Sequence, residues 1–219
     1  GNVRFASGVG DDADGEWVNK RLEEAGIRTW LLRDGTRPTT RKQRYISTGK
    51  KLLRVSYLRE HALWGDLIRE FASDLDALLD GVNLVILSDF SYGYLCEEVL
   101  NLVLARCKQR GIPTTADSQS SSQVGDVARF QGVDLLTPTE REARMAVHDR
   151  RSGLVVLAQR LQQKTSAKNL IITLGKDGVL VHKPHSPHPS AFETDNLPAL
   201  NAHAKDVLGA GDSLLVGTS

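Results

Sequence analysis

The sequence has no long apolar run, no excess of charge of either sign and only two cysteines. Each shortage removes a class of function. Unbroken apolar stretches such as Leu84-Val85-Ile86-Leu87 fall far short of the roughly 20 residues that a bilayer-spanning helix needs. The 28 basic residues against 27 acidic ones leave a net charge of +1, so bulk attraction to nucleic acid or an anionic membrane is excluded and any phosphate binding must be local. The opening residues Gly1-Asn-Val-Arg-Phe-Ala-Ser7 lack the basic start and apolar stretch of an export signal, so a cytoplasmic location is expected. Cys96 and Cys107 fall in one predicted helix, about 16 Å apart along its axis. They cannot bridge each other there and read as small core residues.

Several chemical signatures are also missing. No glycine, four residues, then Gly-Lys-Ser/Thr occurs, and Gly8-Val-Gly10 has Ala13 where a dinucleotide fingerprint needs its third glycine. Asp89-Phe-Ser91 departs from the Asp-Phe-Gly of protein kinases, and no His-Arg-Asp is present. Ser118, Ser120, Ser121 and Ser122 lack a Gly-x-Ser-x-Gly elbow and read as a polar loop. His182, His185 and His188 recur every third residue among prolines, with no carboxylate or cysteine at the same spacing. They read as an irregular exposed loop without a metal.

What is present fits one α/β domain over residues 1–219, with 40% apolar and 25% charged residues. Apolar side chains at Trp64, Leu67, Ile68, Phe71, Ala72, Leu75, Leu78 and Leu79 follow the three-and-four spacing of an amphipathic helix. Asn83–Ser88 reads as a strand buried on both faces. A helix over Tyr94–Arg110 and a strand over Ile112–Asp117 complete a βαβ unit. Strands at 133–136, 169–174 and 179–182 and helices at 140–147 and 154–164 continue the pattern, which predicts a mostly parallel sheet flanked by helices. Its strand carboxyl ends would bring Asp89, Asp117, Thr137 and Gly175 to one crevice. Approximately 27–59, with short β-like runs, turns and many cations including Lys42 and Arg44, reads as a small β-flap.

Gly209-Ala-Gly-Asp212 leads into the apolar run Ser213-Leu-Leu-Val216. Such a turn at a helix N-terminus offers free backbone N–H groups and a dipole to an anion. A carboxylate beside it can accept the proton of an attacking hydroxyl while those N–H groups hold the transferring phosphoryl.

The string Asp206–Asp212 resembles the C-terminal signature of the ribokinase or PfkB carbohydrate kinase family. Gly8–Gly15 with the helix after it resembles the family's early segment, and Thr173-Leu-Gly-Lys-Asp-Gly178 its nucleotide-binding turn. Thr39–Arg44, Ile86-Leu-Ser-Asp89 and Leu136-Thr-Pro138 are most similar to the heptose 7-phosphate kinase branch of lipopolysaccharide synthesis. The resemblance implies a ribokinase-like fold, with ATP and Mg2+ as cofactors and a sugar phosphate as acceptor. It implies Asp212 as catalytic base and Gly209, Ala210 and Gly211 as the anion hole. Thr139, Glu142, Thr173, Gly175, Gly178 and Asp206 would stand toward the nucleotide, Glu142 acting on Mg2+ through water. Lys42 and Arg44 would hold the acceptor's phosphate, and a homodimer is compatible with the family.

This sequence differs from the heptose kinases at Tyr92, where they carry a lysine. It differs again at Ser118-Gln119 after Asp117, where they carry Pro-Lys, and at Thr139, where they carry an asparagine. By the same resemblance the chain is expected to be trimmed at both ends. Two alternatives stay open: a non-catalytic nucleotide- or sugar-phosphate-binding module, and a related kinase for another small alcohol such as a nucleoside.

Overall fold

The computed structural model describes residues 2–48, 50–118, 125–184, 192–199 and 209–219. The chain divides into two compact units, Gly1–Asp80 with Tyr92–Val99 and Gly81–Ser91 with Leu100–Ser219.

In the first unit a strand β1 (Arg4–Val9), a helix α1 (Ala13–Glu24) and a strand β2 (Arg28–Arg33) form a parallel pair, in register from Arg4 opposite Arg28 to Val9 opposite Arg33. This corrects the placement of Thr29–Leu32 in the flap. Asp12 caps α1 by accepting the Gly15 N–H at 2.9 Å, and Asp14 and Glu16 in the first turn favour the helix dipole. The flap is a hairpin of β3 (Arg41–Ser47) and β4 (Lys50–Tyr57), antiparallel, with a register shift between Tyr45 and Ile46.

Helix α2 (Asp66–Leu78) buries Phe71 and Leu75 on the face the apolar spacing marked, whereas Trp64 lies outside it and is 65% exposed. Trp30 of β2 meets Phe71 edge-on at 5.6 Å and donates its ring N–H to Asp74 at 2.9 Å, so both ends of its amphipathic ring are used. Arg4 donates to the carbonyls of Ala77 and Leu78, satisfying acceptors that the helix end leaves open.

One buried ion pair ties the loops of this unit. Arg37 Nε donates to Asp34 Oδ2 at 2.6 Å, and its two amino groups donate to the carbonyls of Tyr92 and His61 at 3.1 and 2.8 Å. Burial raises the Asp34 carboxyl. The hydrogen bonds from Thr36 and Arg37 outweigh that and hold it below the usual range. Removing one partner of such a pair costs about 3–5 kcal/mol, because the other charge is stranded.

The second unit is a six-stranded sheet in the order β10-β9-β8-β7-β6-β5. Its strands are β5 (Val85–Asp89), β6 (Thr114–Ser118), β7 (Leu135–Leu136), β8 (Leu170–Thr173), β9 (Val179–Pro184) and β10 (Phe192–Leu197). The pairs from β5 to β8 are parallel, and β9 and β10 turn back antiparallel. Helices α3 (Glu97–Arg110), α4 (Glu140–Ala146) and α5 (Leu154–Thr165) intervene, and α6 (Ala210–Thr218) follows β10. The core gathers Leu136, Leu157, Leu161, Leu170 and Ile172, each without exposed surface.

Two expectations change here, and one strand is added. In β5, Leu87 and Asp89 are buried but Ile86 is 39% exposed, so within its unit the strand is covered on one face. β10, polar and facing solvent along much of its length, carries no sequence signal. His182 lies not in an exposed loop but in β9, 2% exposed, its Nδ1 2.8 Å from the Thr194 hydroxyl; burial lowers its pKa. His185 and His188, like Ser120, Ser121 and Ser122, are outside the described residues. Cys96 and Cys107 are free and buried as expected, although Cys96 precedes α3 instead of lying in it.

Candidate active site

The carboxyl edge of the parallel strands carries Asp89, Asp117, Thr137 and Thr173, the first three buried. Strands that share a direction end on one side of the sheet, which is where side chains of different strands can meet a ligand.

Against β6 stands the glycine turn. Gly209 takes a left-handed conformation, φ 74°, which glycine adopts without strain, and forms the N-cap of α6 with no side-chain cap. The first-turn N–H groups of α6 have no carbonyl within the helix to bond, and Gly209 supplies no side chain to take their place. Asp212 sits in that same turn. A Cβ on Gly209 would lie 3.9 Å from Asp212 Oδ2, and a Cβ on Gly211 would lie 3.9 Å from Asp117 Oδ2. One turn thus collects a helix N-terminus and two carboxylates. Asp206 lies outside the described residues.

Thr139 and Glu142 form a capping box on α4. The Thr139 N–H and hydroxyl donate to Glu142 Oε2 at 2.9 and 2.8 Å, and the Glu142 N–H donates to the Thr139 hydroxyl at 3.2 Å. Thr139 also bridges Thr173 in parallel fashion. The structure therefore brings Thr139, Glu142 and Thr173 together. The chain then turns through Gly175–Asp177, with the Leu174 N–H bonded to the Gly178 carbonyl at 2.8 Å. Gly178 has φ 96°, and a Cβ there would come within 2.0 Å of the Leu197 carbonyl oxygen. Packing against the end of β10 already requires this glycine.

Lys42 and Arg44 belong to the first unit, two residues apart on β3 and so on one face of the strand. The Lys42 ammonium lies 4.8 Å from the centre of the Tyr92 ring, a cation–π contact at the position where the resemblance implies a lysine.

The sequence reading missed Arg129. Its Nη1 donates to Asp89 Oδ2 at 3.3 Å, while the Ser91 N–H donates to Oδ1 at 2.9 Å. It lies in a one-turn helix capped by Asp126 and carries no spacing signal of its own. Its place beside Asp89 supplies a cation to the strand edge.

Among the described residues no group of three His, Cys, Asp or Glu side chains could hold a metal ion, and no helix is long and apolar enough to cross a membrane.

The sequence pattern of the pfkB family carbohydrate kinases matches residues 1–218. The chain belongs to that family, and its fold is ribokinase-like. Among curated proteins it is 28% identical over 216 residues to "Bifunctional protein HldE" of a Nitratiruptor species, covering 97% of this chain and 43% of that protein. It is 30% identical over 220 residues to the protein of the same name from Syntrophotalea carbinolica, covering 97% and 42%. The chain thus spans less than half the length of these relatives. A ribokinase from Giardia lamblia superposes with a TM-score of 0.73 at 19% identity, covering 97% of this chain and 63% of that one. Phosphofructokinase-2 from Escherichia coli in complex with fructose-6-phosphate gives 0.69 at 15%, covering 100% and 72%.

Proposed function

We propose that the chain carries the phosphoryl-transfer site of an ATP-dependent kinase for a sugar or sugar phosphate, a heptose 7-phosphate above all. The observation that carries this reading is the α6 turn, where Asp212 shares one position with N–H groups that the helix cannot satisfy. Asp212 accepts the proton of the acceptor hydroxyl. Gly209, Ala210 and Gly211 stabilise the charge that develops on the phosphoryl group. Thr139, Thr173, Gly175 and Gly178 line the nucleotide, with Asp206 in the loop before the turn.

Mg2+ fits this edge as an ion held mainly by phosphate oxygens and water, since the described side chains supply no three-ligand cage. Asp117 and, through water, Glu142 would face the ion, which when bound would offset the repulsion between a polyphosphate and the Asp117 carboxylate. Lys42 and Arg44 hold the acceptor's phosphate.

The two relatives named HldE, together with Thr39–Arg44, support the heptose assignment. The two units serve as one kinase domain, in the cytoplasm. The hairpin exposes Ile46 at 62% and Leu52 at 69%. Apolar groups this open on a two-stranded sheet support a homodimer in which a second copy of the chain covers them.

The absence of lysine at Tyr92 and Gln119 favours a second reading, a binding module without turnover. Arg129 beside Asp89 weighs against it by restoring a cation. Measuring ADP release with a panel of sugar phosphates, on this chain and on a version extended at both ends, separates the two. Turnover with a heptose 7-phosphate supports the kinase. Nucleotide binding without ADP release from either version would establish the module.

A further inference from the structure

A concavity rich in arginine lies on the far face of α4. Glu142, Ala143 and Ala146 of that helix are buried, Glu142 being the residue assigned to the nucleotide. Glu140, Arg141, Arg144 and Met145 fall on its other face, as helical spacing requires, and His148 follows just past its C-cap. With Asp149, Arg150, Arg151 and Arg160 they line a cavity of about 1050 Å³. Nothing in the proposed phosphoryl transfer uses this cavity.

Its charge is lopsided. Five guanidinium groups face two carboxylates, and both carboxylates are engaged. Glu140 takes Arg144 at 2.8 Å. Asp149 takes Arg160 on Oδ2 and the N–H groups of Arg151 and Ser152, each at 3.0 Å, on Oδ1. These bonds, the Ser152 N–H first among them, hold the Asp149 carboxyl well below the usual range. They also fix the loop that carries Arg150 and Arg151 at the rim. Among the described residues the guanidinium groups of Arg141, Arg150 and Arg151 have neither an ion-pair nor a hydrogen-bond partner. Three uncompensated forks around one concavity match the spread acceptor oxygens of a phosphate chain, which guanidinium binds bidentately. The volume suits a nucleotide-sized ligand, and Met145 with the arginine stems gives it an apolar floor.

We propose that this cavity binds a chain of phosphates, as in inorganic polyphosphate or a nucleoside di- or triphosphate, at a site distinct from the α6 turn. The proposal does not depend on the kinase reading. Calorimetric titration of the 219-residue chain with inorganic tripolyphosphate tests it. Binding should weaken with added salt, and Arg141→Gln/Arg150→Gln/Arg151→Gln should lose it at least tenfold while melting at the temperature of the parent. A control that removes equal charge elsewhere, Lys20→Gln/Arg21→Gln/Arg28→Gln, should bind within about twofold of the parent. Repeating the titration with ATP tests whether a nucleotide supplies the phosphate chain as well, and the component that the arginine triple removes should then appear with both ligands; its absence with ATP would leave inorganic polyphosphate as the ligand. Equal loss in both triples, no loss in the arginine triple, or displacement by polyglutamate as effective as by tripolyphosphate would overturn the proposal. Should the triple fail to fold, the single variants decide, each expected to weaken binding two- to fivefold.

Discussion

Asp117 at the end of β6 lies so close to the α6 turn that a Cβ on Gly211 would stand 3.9 Å from its Oδ2. A buried carboxylate beside the place assigned to a phosphoryl group draws a divalent cation into the space between them and strengthens its binding. Asp117→Asn should therefore raise the Mg2+ concentration needed for half-maximal activity by about tenfold or more, with a smaller change in the acceptor KM. Initial rates over a Mg2+ series check this. An unchanged Mg2+ dependence would remove Asp117 from the metal's surroundings.

Two glycines should separate packing from catalysis. At Gly178 the φ of 96° and the Leu197 oxygen 2.0 Å from a Cβ both oppose a side chain, so Gly178→Ala should cost about 2 kcal/mol or more. At Gly211 the nearest atom to a Cβ is 3.9 Å away, an ordinary contact, so Gly211→Ala should fold with a stability change within about 0.5 kcal/mol. It should nevertheless lose most turnover, since its methyl occupies the approach to the N–H groups. Urea unfolding beside steady-state kinetics on both variants provides the comparison.

Much of the second unit was legible in the sequence because its elements bury continuous apolar segments. β8 and α5 lie where the runs 169–174 and 154–164 placed them, within one or two residues. The first unit was harder to read. β1, Arg-Phe-Ala-Ser-Gly-Val, has neither alternation nor an apolar block, so nothing announced that β2 pairs with it, and the Asp34-Gly35 turn drew β2 toward the flap. β10 is a polar edge strand whose partner is set by β9, a tertiary choice that local pattern does not carry. At the site, Gly209–Asp212 was visible because a glycine turn before an apolar run has a mechanical meaning. Arg129 was not, since its role comes from Asp89, 40 residues away.

The flap cations should act on the acceptor alone. Lys42→Ala and Arg44→Ala are expected to raise the KM of a phosphorylated sugar by about tenfold and that of ATP by less than twofold. The same substitutions should matter little with the unphosphorylated sugar. Equal effects on both substrates would argue against a phosphate clamp.

His182 sets a pH dependence of stability. Its folded pKa is lowered by burial from the ordinary 6.5, so the unfolded chain takes up the proton first as pH falls. Stability should decline from about pH 6.5 downward until the folded value is reached. His182→Gln, which can keep a bond to Thr194, should show a shallower loss of urea midpoint between pH 7.5 and 5. Parallel losses in both proteins would place the acid sensitivity elsewhere.

The most direct measurement is the single-turnover rate of phosphoryl transfer for Asp212→Asn, with ATP affinity determined on the same sample. A base that acts only on the acceptor proton predicts a fall of at least a thousandfold in transfer, with ATP affinity within a few fold of the parent. A transfer rate equal to the parent's would contradict the assignment of Asp212 and, with it, the reading of the α6 turn as the catalytic site.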